Sequence, residues 1–138
     1  MCETFTPAAE VEVRRVMAAL EPGLAALYPD WPSGCCVLAT SLLRQALESW
    51  MADPGMVYEA PLFIVLGERE YRDDCMVDFH HWIETVDGVI IDPTAGQFEL
   101  GEPALMISWP DSPAYARYMP WRLQTVRTHE RRHPRAEA

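Results

Sequence analysis

The stretch Phe79-His80-His81-Trp82-Ile83-Glu84-Thr85-Val86-Asp87-Gly88-Val89-Ile90-Ile91-Asp92-Pro93-Thr94 leaves its part of the chain few options. It is two short strand-like runs joined at Asp87-Gly88, a dipeptide that tolerates the positive φ a tight hairpin demands. Pro93 has no amide hydrogen to give, so the second run stops pairing after Asp92. A histidine pair beside Trp82 on one strand thus meets an aspartate that closes the next. A carboxylate so placed holds an imidazole in one tautomer and one orientation. The arrangement lacks only a nucleophile, and the upstream candidates placed to open a helix are Cys35 and Cys36.

The helix they would open runs from about Cys35 to Trp50. Leu38, Ala39, Leu42, Leu43, Ala46 and Leu47 recur at helical spacing, with Arg44, Gln45 and Glu48 outside. A thiol in the first turn of such a helix sees unpaired backbone N–H groups and the positive end of the helix dipole. Both favour the thiolate, and the same N–H groups can receive an oxyanion. Gly34 leaves room for a substrate to approach. The plainer alternative is that adjacent cysteines are small buried residues and that His-Trp on a strand is core packing.

Elsewhere the elements read as follows. Thr6-Pro7 starts a helix, with Thr as N-cap and Pro at its first position. Val13, Val16, Met17 and Leu20 form its apolar stripe, and Pro22-Gly23 interrupts it, leaving Leu24–Tyr28 for one further turn. Leu62–Leu66 is a continuous apolar run, expected as a central strand covered on both faces, with the Cys35–Trp50 helix and His80 on the same side of the sheet. Gly67–Asp74 is charged and reads as a solvent-facing connection. Ala104–Ile107 could add a strand, Pro110–Pro120 is a Pro- and Tyr-rich loop with room for a helical turn, Arg122–Arg132 is a candidate last helix, and residues 133–138 form a frayed tail. Helices followed by an antiparallel sheet make an α+β fold, and 138 residues are enough for one domain.

A formal net charge of −10 argues against a nucleic-acid partner, since phosphate contacts need a basic surface. All eleven basic residues are Arg, which excludes a lysine base or Schiff base. No apolar run approaches the ~20 residues of a membrane span. The start Met1–Phe5 is acidic without an apolar core, and Cys2, Cys35, Cys36 and Cys75 lack the spacing of a disulfide scaffold. A cytoplasmic location is the expectation.

Gly34-Cys35-Cys36, His80-His81-Trp82 and Asp92-Pro93-Thr94 resemble the Gly-x-Cys, His-x-Trp and Asp-Pro-Thr motifs of the transglutaminase-like, papain-like cysteine enzymes. A closer likeness is to small bacterial YunG-like proteins. Their His-x-Trp, Asp-Gly and Ile-Asp-x-Thr-x-x-Gln-Phe pattern is met by His80, Trp82, Asp87-Gly88, Ile91-Asp92, Thr94 and Gln97-Phe98. The likeness spans about residues 33–98. It implies a papain-like core and a Cys-His-Asp acyl-transfer enzyme that attacks an amide or ester through a thioester. Peptidase, amidase or deamidase, and acyltransferase activities all fit, with a peptide, protein or small amide or ester as substrate and no cofactor. Trp82 and Gln97 would then border the substrate, or else serve the core and brace the turn after Pro93. A catalytically silent binding domain and a Cys/His metal site built on Cys35 or Cys36, Cys75 and the histidines are the competing readings. The metal site is the weaker, because no Cys-x-x-Cys or His-x-x-x-His is present.

Two registers stay open. Gly-x-Cys selects Cys36, with Thr40, Leu43 and Leu47 along its face; Cys35 would have Ala39, Leu42 and Ala46. His-x-Trp selects His80, yet a two-residue turn at Asp87-Gly88 pairs Ile83 with Asp92 and puts Asp92 on the face of His81. A three-residue loop or a bulge restores His80. The expectation is that limiting iodoacetamide labels Cys36 first, or Cys35 in the other register, as peptide mapping would show. Equal labelling of Cys2, Cys75 and the pair would count against an activated thiol.

Overall fold

The computed structural model describes residues 4–52, 60–72, 76–99 and 102–121. The Arg122–Arg132 helix, the tail at 133–138, Cys2 and Cys75 lie outside these residues. Helix α1 spans Pro7–Leu27 and starts as read, with the Thr6 hydroxyl accepting from the Ala9 N–H at 3.2 Å. It does not break at Pro22-Gly23 but runs through Pro22 to Leu27. Proline removes one helical hydrogen bond. Leu24 continues the buried stripe of Ala9, Val13 and Met17, and packing of that face sustains the last turns. Trp31 Nε1 donates to Glu21 Oε2 at 3.0 Å and draws the following loop against the same helix.

Helix α2 covers Cys36–Met51, with Cys35 as its N-cap. Its buried residues are Ala39, Thr40, Leu43, Leu47 and Trp50. Thr40, Leu43 and Leu47 follow Cys36 along one face, whereas Leu38 turns out to solvent instead of joining the apolar stripe.

Five strands complete an α+β fold: β1 Phe63–Glu70, β2 Val77–Glu84, β3 Ile90–Asp92, β4 Met106–Ser108 and β5 Tyr118–Pro120. They form one antiparallel sheet in the order β4-β3-β2-β1-β5. Two departures from expectation matter here. Gly67–Glu70 is not a solvent-facing connection but the second half of β1, and Tyr118–Pro120 is an edge strand rather than loop. The charges of Gly-Glu-Arg-Glu hide a period of two: Val65, Gly67 and Arg69 are buried, and the alternating Leu66, Glu68 and Glu70 are half-buried.

The two faces of the sheet carry different cores. On one, Leu62, Ile83, Ile91 and Ile107 pack against α1 and α2. On the other, Val65, Trp82, Ile90 and Tyr118 cluster together. The sheet curls over this second face: the Tyr118 hydroxyl on β5 reaches the Asp92 carboxylate on β3, two strands beyond its neighbour. The body of α2 therefore covers the face of Ile83, not that of Trp82 and His80, contrary to the expectation that it shares the side of His80. Its first turn reaches His80 where β3 ends.

That curl needs Gly67. A Cβ there would meet the Met119 carbonyl oxygen, would lie 2.7 Å from Pro120 Cα and would sit 2.8 Å from Trp82 Cη2. Two of these neighbours are backbone and cannot swing away. Gly67→Ala should cost about 2 kcal/mol or more, the scale of overpacking in a filled core. Urea denaturation of the variant against the parent chain measures it.

Candidate active site

The hairpin turn decides which histidine meets Asp92. Gly88 has φ of 89°, the Gly88 N–H donates to Thr85 O at 3.0 Å, and the Thr85 N–H donates to Val89 O at 2.9 Å. This is a three-residue loop, Val86-Asp87-Gly88, closed by Thr85 and Val89, and not the two-residue turn. Side chains brace it. The Thr85 hydroxyl donates to Asp87 Oδ1 at 2.6 Å, Asp87 Oδ2 accepts from the Phe5 N–H at 2.9 Å, and Thr85 Oγ1 accepts from the Val89 N–H at 2.9 Å. Ile83 consequently pairs with Ile91, and Asp92 falls level with Trp82 on the face of His80.

His80 and Asp92 are both fully buried, with His80 Nε2 at 2.7 Å from Asp92 Oδ2. Asp92 Oδ1 accepts from the Thr94 N–H at 3.0 Å, so the turn after Pro93 braces the carboxylate from behind. The other ring nitrogen, Nδ1, lies 3.2 Å from Gln97 Nε2. Cys36 also lies within hydrogen-bonding reach of His80. Burial alone would lower the His80 pKa, but the charge and hydrogen bond of Asp92, with a smaller contribution from Cys36, raise it to about 9. Phe98 meets the imidazole edge-on at 4.7 Å between centroids, and Trp82 lies at 6.1 Å.

The end of β3 opens the way for α2. Continuing the register would place Pro93 opposite His81, and Pro93 has no N–H for the His81 carbonyl. The Thr40 hydroxyl, one turn along α2 from Cys36, donates to that carbonyl at 3.3 Å. The gap left by proline in the ladder is thus where α2 docks. No side chain caps the start of α2, and its first intrahelical bond is Ala39 N–H to Cys35 O. The backbone N–H groups of the first turn remain beside Cys36.

The two cysteines differ. Cys35 is buried, donates to Pro32 O at 3.6 Å, and has its pKa raised by burial and then by Cys36. Cys36 is partly exposed and faces His80. His81 lies on the opposite face, edge-on to Phe79 at 4.9 Å, with its pKa lowered by burial and by His80. The geometry brings Cys36, His80, Asp92 and Gln97 together and leaves Cys35 and His81 outside. Trp82 is fully buried, its Nε1 donating to Glu84 Oε2 at 3.1 Å, so it forms the wall behind the imidazole and does not reach the surface.

Sequence reasoning missed a layer behind Asp92. Tyr118 donates its hydroxyl to Asp92 Oδ2 at 2.7 Å. The Arg69 guanidinium lies 4.7 Å from the Tyr118 ring centroid and 5.4 Å from that of Phe98. Arg69 is fully buried and pairs with Glu99 at 3.1 Å. Only Arg69 had a readable signal, the alternation that continues from Val65 through Gly67. A cleft of about 400 Å3 beside this layer is bordered by Arg72, Glu99, Met106 and Arg117; neither Cys36 nor His80 lines it.

Among the described residues no group of three or more His, Cys, Asp or Glu side chains is placed to hold a metal ion. None of the helices is long and apolar enough to cross a membrane, again among the described residues. No family model, no curated protein and no solved structure matches the chain.

The His80 environment predicts a pH signature. Its pKa is about 9 folded and near 6.5 unfolded, so the folded state binds the proton more tightly. Its stabilisation is fully present below pH 6.5 and is lost as pH rises through 9. Thermal melts from pH 6 to 10 should therefore fall more steeply for the parent chain than for His80→Gln. Parallel curves would contradict the assignment.

Proposed function

We propose that the chain is a cysteine acyl-transfer enzyme of the transglutaminase-like, papain-like type, acting on an amide or ester. The observation that carries the reading is the buried imidazole of His80, fixed by Asp92 through Nε2, with Cys36 within hydrogen-bonding reach of the ring. A thiol–imidazole pair requires a division of labour in which one nitrogen is anchored and the other serves the nucleophile.

In the first half-reaction the Cys36 thiolate attacks the substrate carbonyl. The oxyanion forms beside the N–H groups at the start of α2, and the Gln97 amide lies close enough to His80 Nδ1 to border the same point. The C–N or C–O bond then breaks, the leaving group takes the proton of His80, and the acyl group stays on sulfur as a thioester. Water or an amine next attacks the thioester and gives its proton to His80. Cys36 leaves as the thiolate beside the imidazolium, and the acyl product departs. The acceptor decides between hydrolysis and transfer.

Incubation with a small activated ester such as p-nitrophenyl acetate, followed by acid quench and intact-mass measurement, should reveal one acyl group on Cys36 and none in Cys36→Ala. Asp92→Asn should slow both acylation and Cys36 alkylation by roughly tenfold or more, because a mis-set imidazole cannot pair with the thiolate. His80→Ala should slow them at least as much and the double variant little further, since members of one unit are strongly non-additive. Unchanged Cys36 reactivity in both single variants, with melts showing them folded, would leave a silent binding domain instead.

A further inference from the structure

Asp92 Oδ2 serves two partners. His80 Nε2 and the Tyr118 hydroxyl each lie 2.7 Å from it, and all three side chains are buried. Toward a carboxylate a phenol can only donate. Burial and the neighbouring Asp92 push the Tyr118 phenol well above its ordinary pKa, so it keeps its proton across the working range. Arg69 lies against the same ring and hydrogen-bonds to the phenol, while itself paired with Glu99.

We propose that Tyr118, seated by Arg69, is a positioning residue that weakens the hold of Asp92 on the His80 proton so that His80 can release it during turnover. The inference rests on the acyl-transfer reading for its purpose, though not for its physics. A donor on a carboxylate oxygen is worth most when that oxygen has no cation to balance it. With His80 protonated, the imidazolium already satisfies Oδ2; with His80 neutral, Tyr118 and the nearby Arg69 carry more of the compensation. Both groups therefore favour the neutral imidazole. In a dry site, a carboxylate facing histidine alone would keep it charged well above neutral pH. A general acid must give its proton to the leaving group, and works best when its affinity for the proton lies near the operating pH.

The surroundings of His80 allow the effect to be isolated. The titratable and charged groups about it, among the described residues, are Cys36 from α2, Asp92 from β3 and His81 beside it on β2. Behind Asp92 stand Tyr118 from β5, Arg69 from β1 and Glu99. Gln97 and Phe98 add neutral contacts. Tyr118→Phe removes the hydroxyl and keeps the ring under Arg69.

The test is an NMR titration of the isotope-labelled histidine rings, with His80 assigned by its loss in His80→Gln. Tyr118→Phe should raise the His80 midpoint by about half a pH unit or more while His81 stays in place. A purely structural hydroxyl predicts the opposite: loosening Asp92 would lower the midpoint or leave it unchanged, and either result overturns the proposal. If Tyr118→Phe fails to fold, replacing Tyr118 by 3-fluorotyrosine decides, since its more acidic hydroxyl is the stronger donor in the same shape. It should lower the His80 midpoint, and a rise or no change would overturn the proposal. The titrations need no substrate, so an absence of acyl adduct on Cys36 would sink the enzymatic reading and leave this one standing. A wrong direction in the titrations would do the reverse.

Discussion

Between Thr85 and Val89 lies a 2.9 Å backbone hydrogen bond that sets the register of the whole site. It closes a loop of three residues where two would also have fitted the Asp87-Gly88 dipeptide. A shift of one residue would turn every side chain of β3 to the opposite face, taking Asp92 away from His80. The turn is accordingly tied down by neighbours remote in sequence: Phe5 binds Asp87, and Trp109 Nε1 donates to Glu10 of α1 at 2.8 Å while its ring packs on Phe5. The start of the first helix and the residue that follows β4 thus hold a turn that contains no candidate catalytic residue.

The same face buries five side chains that bear or can bear charge: Arg69, His80, Glu84, Asp92 and Glu99. Such a cluster is expensive to desolvate, and removing one partner of a buried pair typically costs more than the pair contributes. Here most of the bonding capacity is answered. Asp92 accepts from His80, Thr94 and Tyr118; Glu99 from Arg69; and Glu84 from the Trp82 indole. Arg69 also donates to the Glu70 carbonyl at 2.6 Å, with its Nε left over among the described residues. A site that must hold a carboxylate and an imidazole away from water requires this second ring of donors and acceptors.

What could be read in advance followed periodicity and local chemistry. The N-cap at Thr6, the helix opening at the cysteine pair, the strand after Pro61 and the hairpin were all legible, because each is fixed within a few residues. His80 and Asp92 were legible as partners once the turn length was left open. Three features were not. Pro22 read as a stop because the compensating contact, Leu24 in the core, is tertiary. Gly67–Glu70 read as surface because charge was weighed above alternation. Tyr118 read as loop because a three-residue edge strand has no pattern of its own and exists only by pairing with Gly67–Arg69. Tyr118 and Arg69, the two members of the hidden layer nearest Asp92, come from the latter two segments.

Cys35, the cap of α2, makes no capping bond with its side chain. Serine, threonine, asparagine or aspartate at such a position usually adds about 1 kcal/mol to a helix. Each would do so by occupying an N–H group that here stays free beside Cys36. Heat resistance and the proposed reactivity of Cys36 therefore pull this one position in opposite directions, and a chain improved only for the first would drift towards a sealed helix end. A cysteine is a small residue that fills the cap, reaches back to the Pro32 carbonyl and leaves the N–H groups of the first turn uncapped. In that sense the pair divides its work: Cys35 keeps the helix end open, and Cys36 stands in the opening.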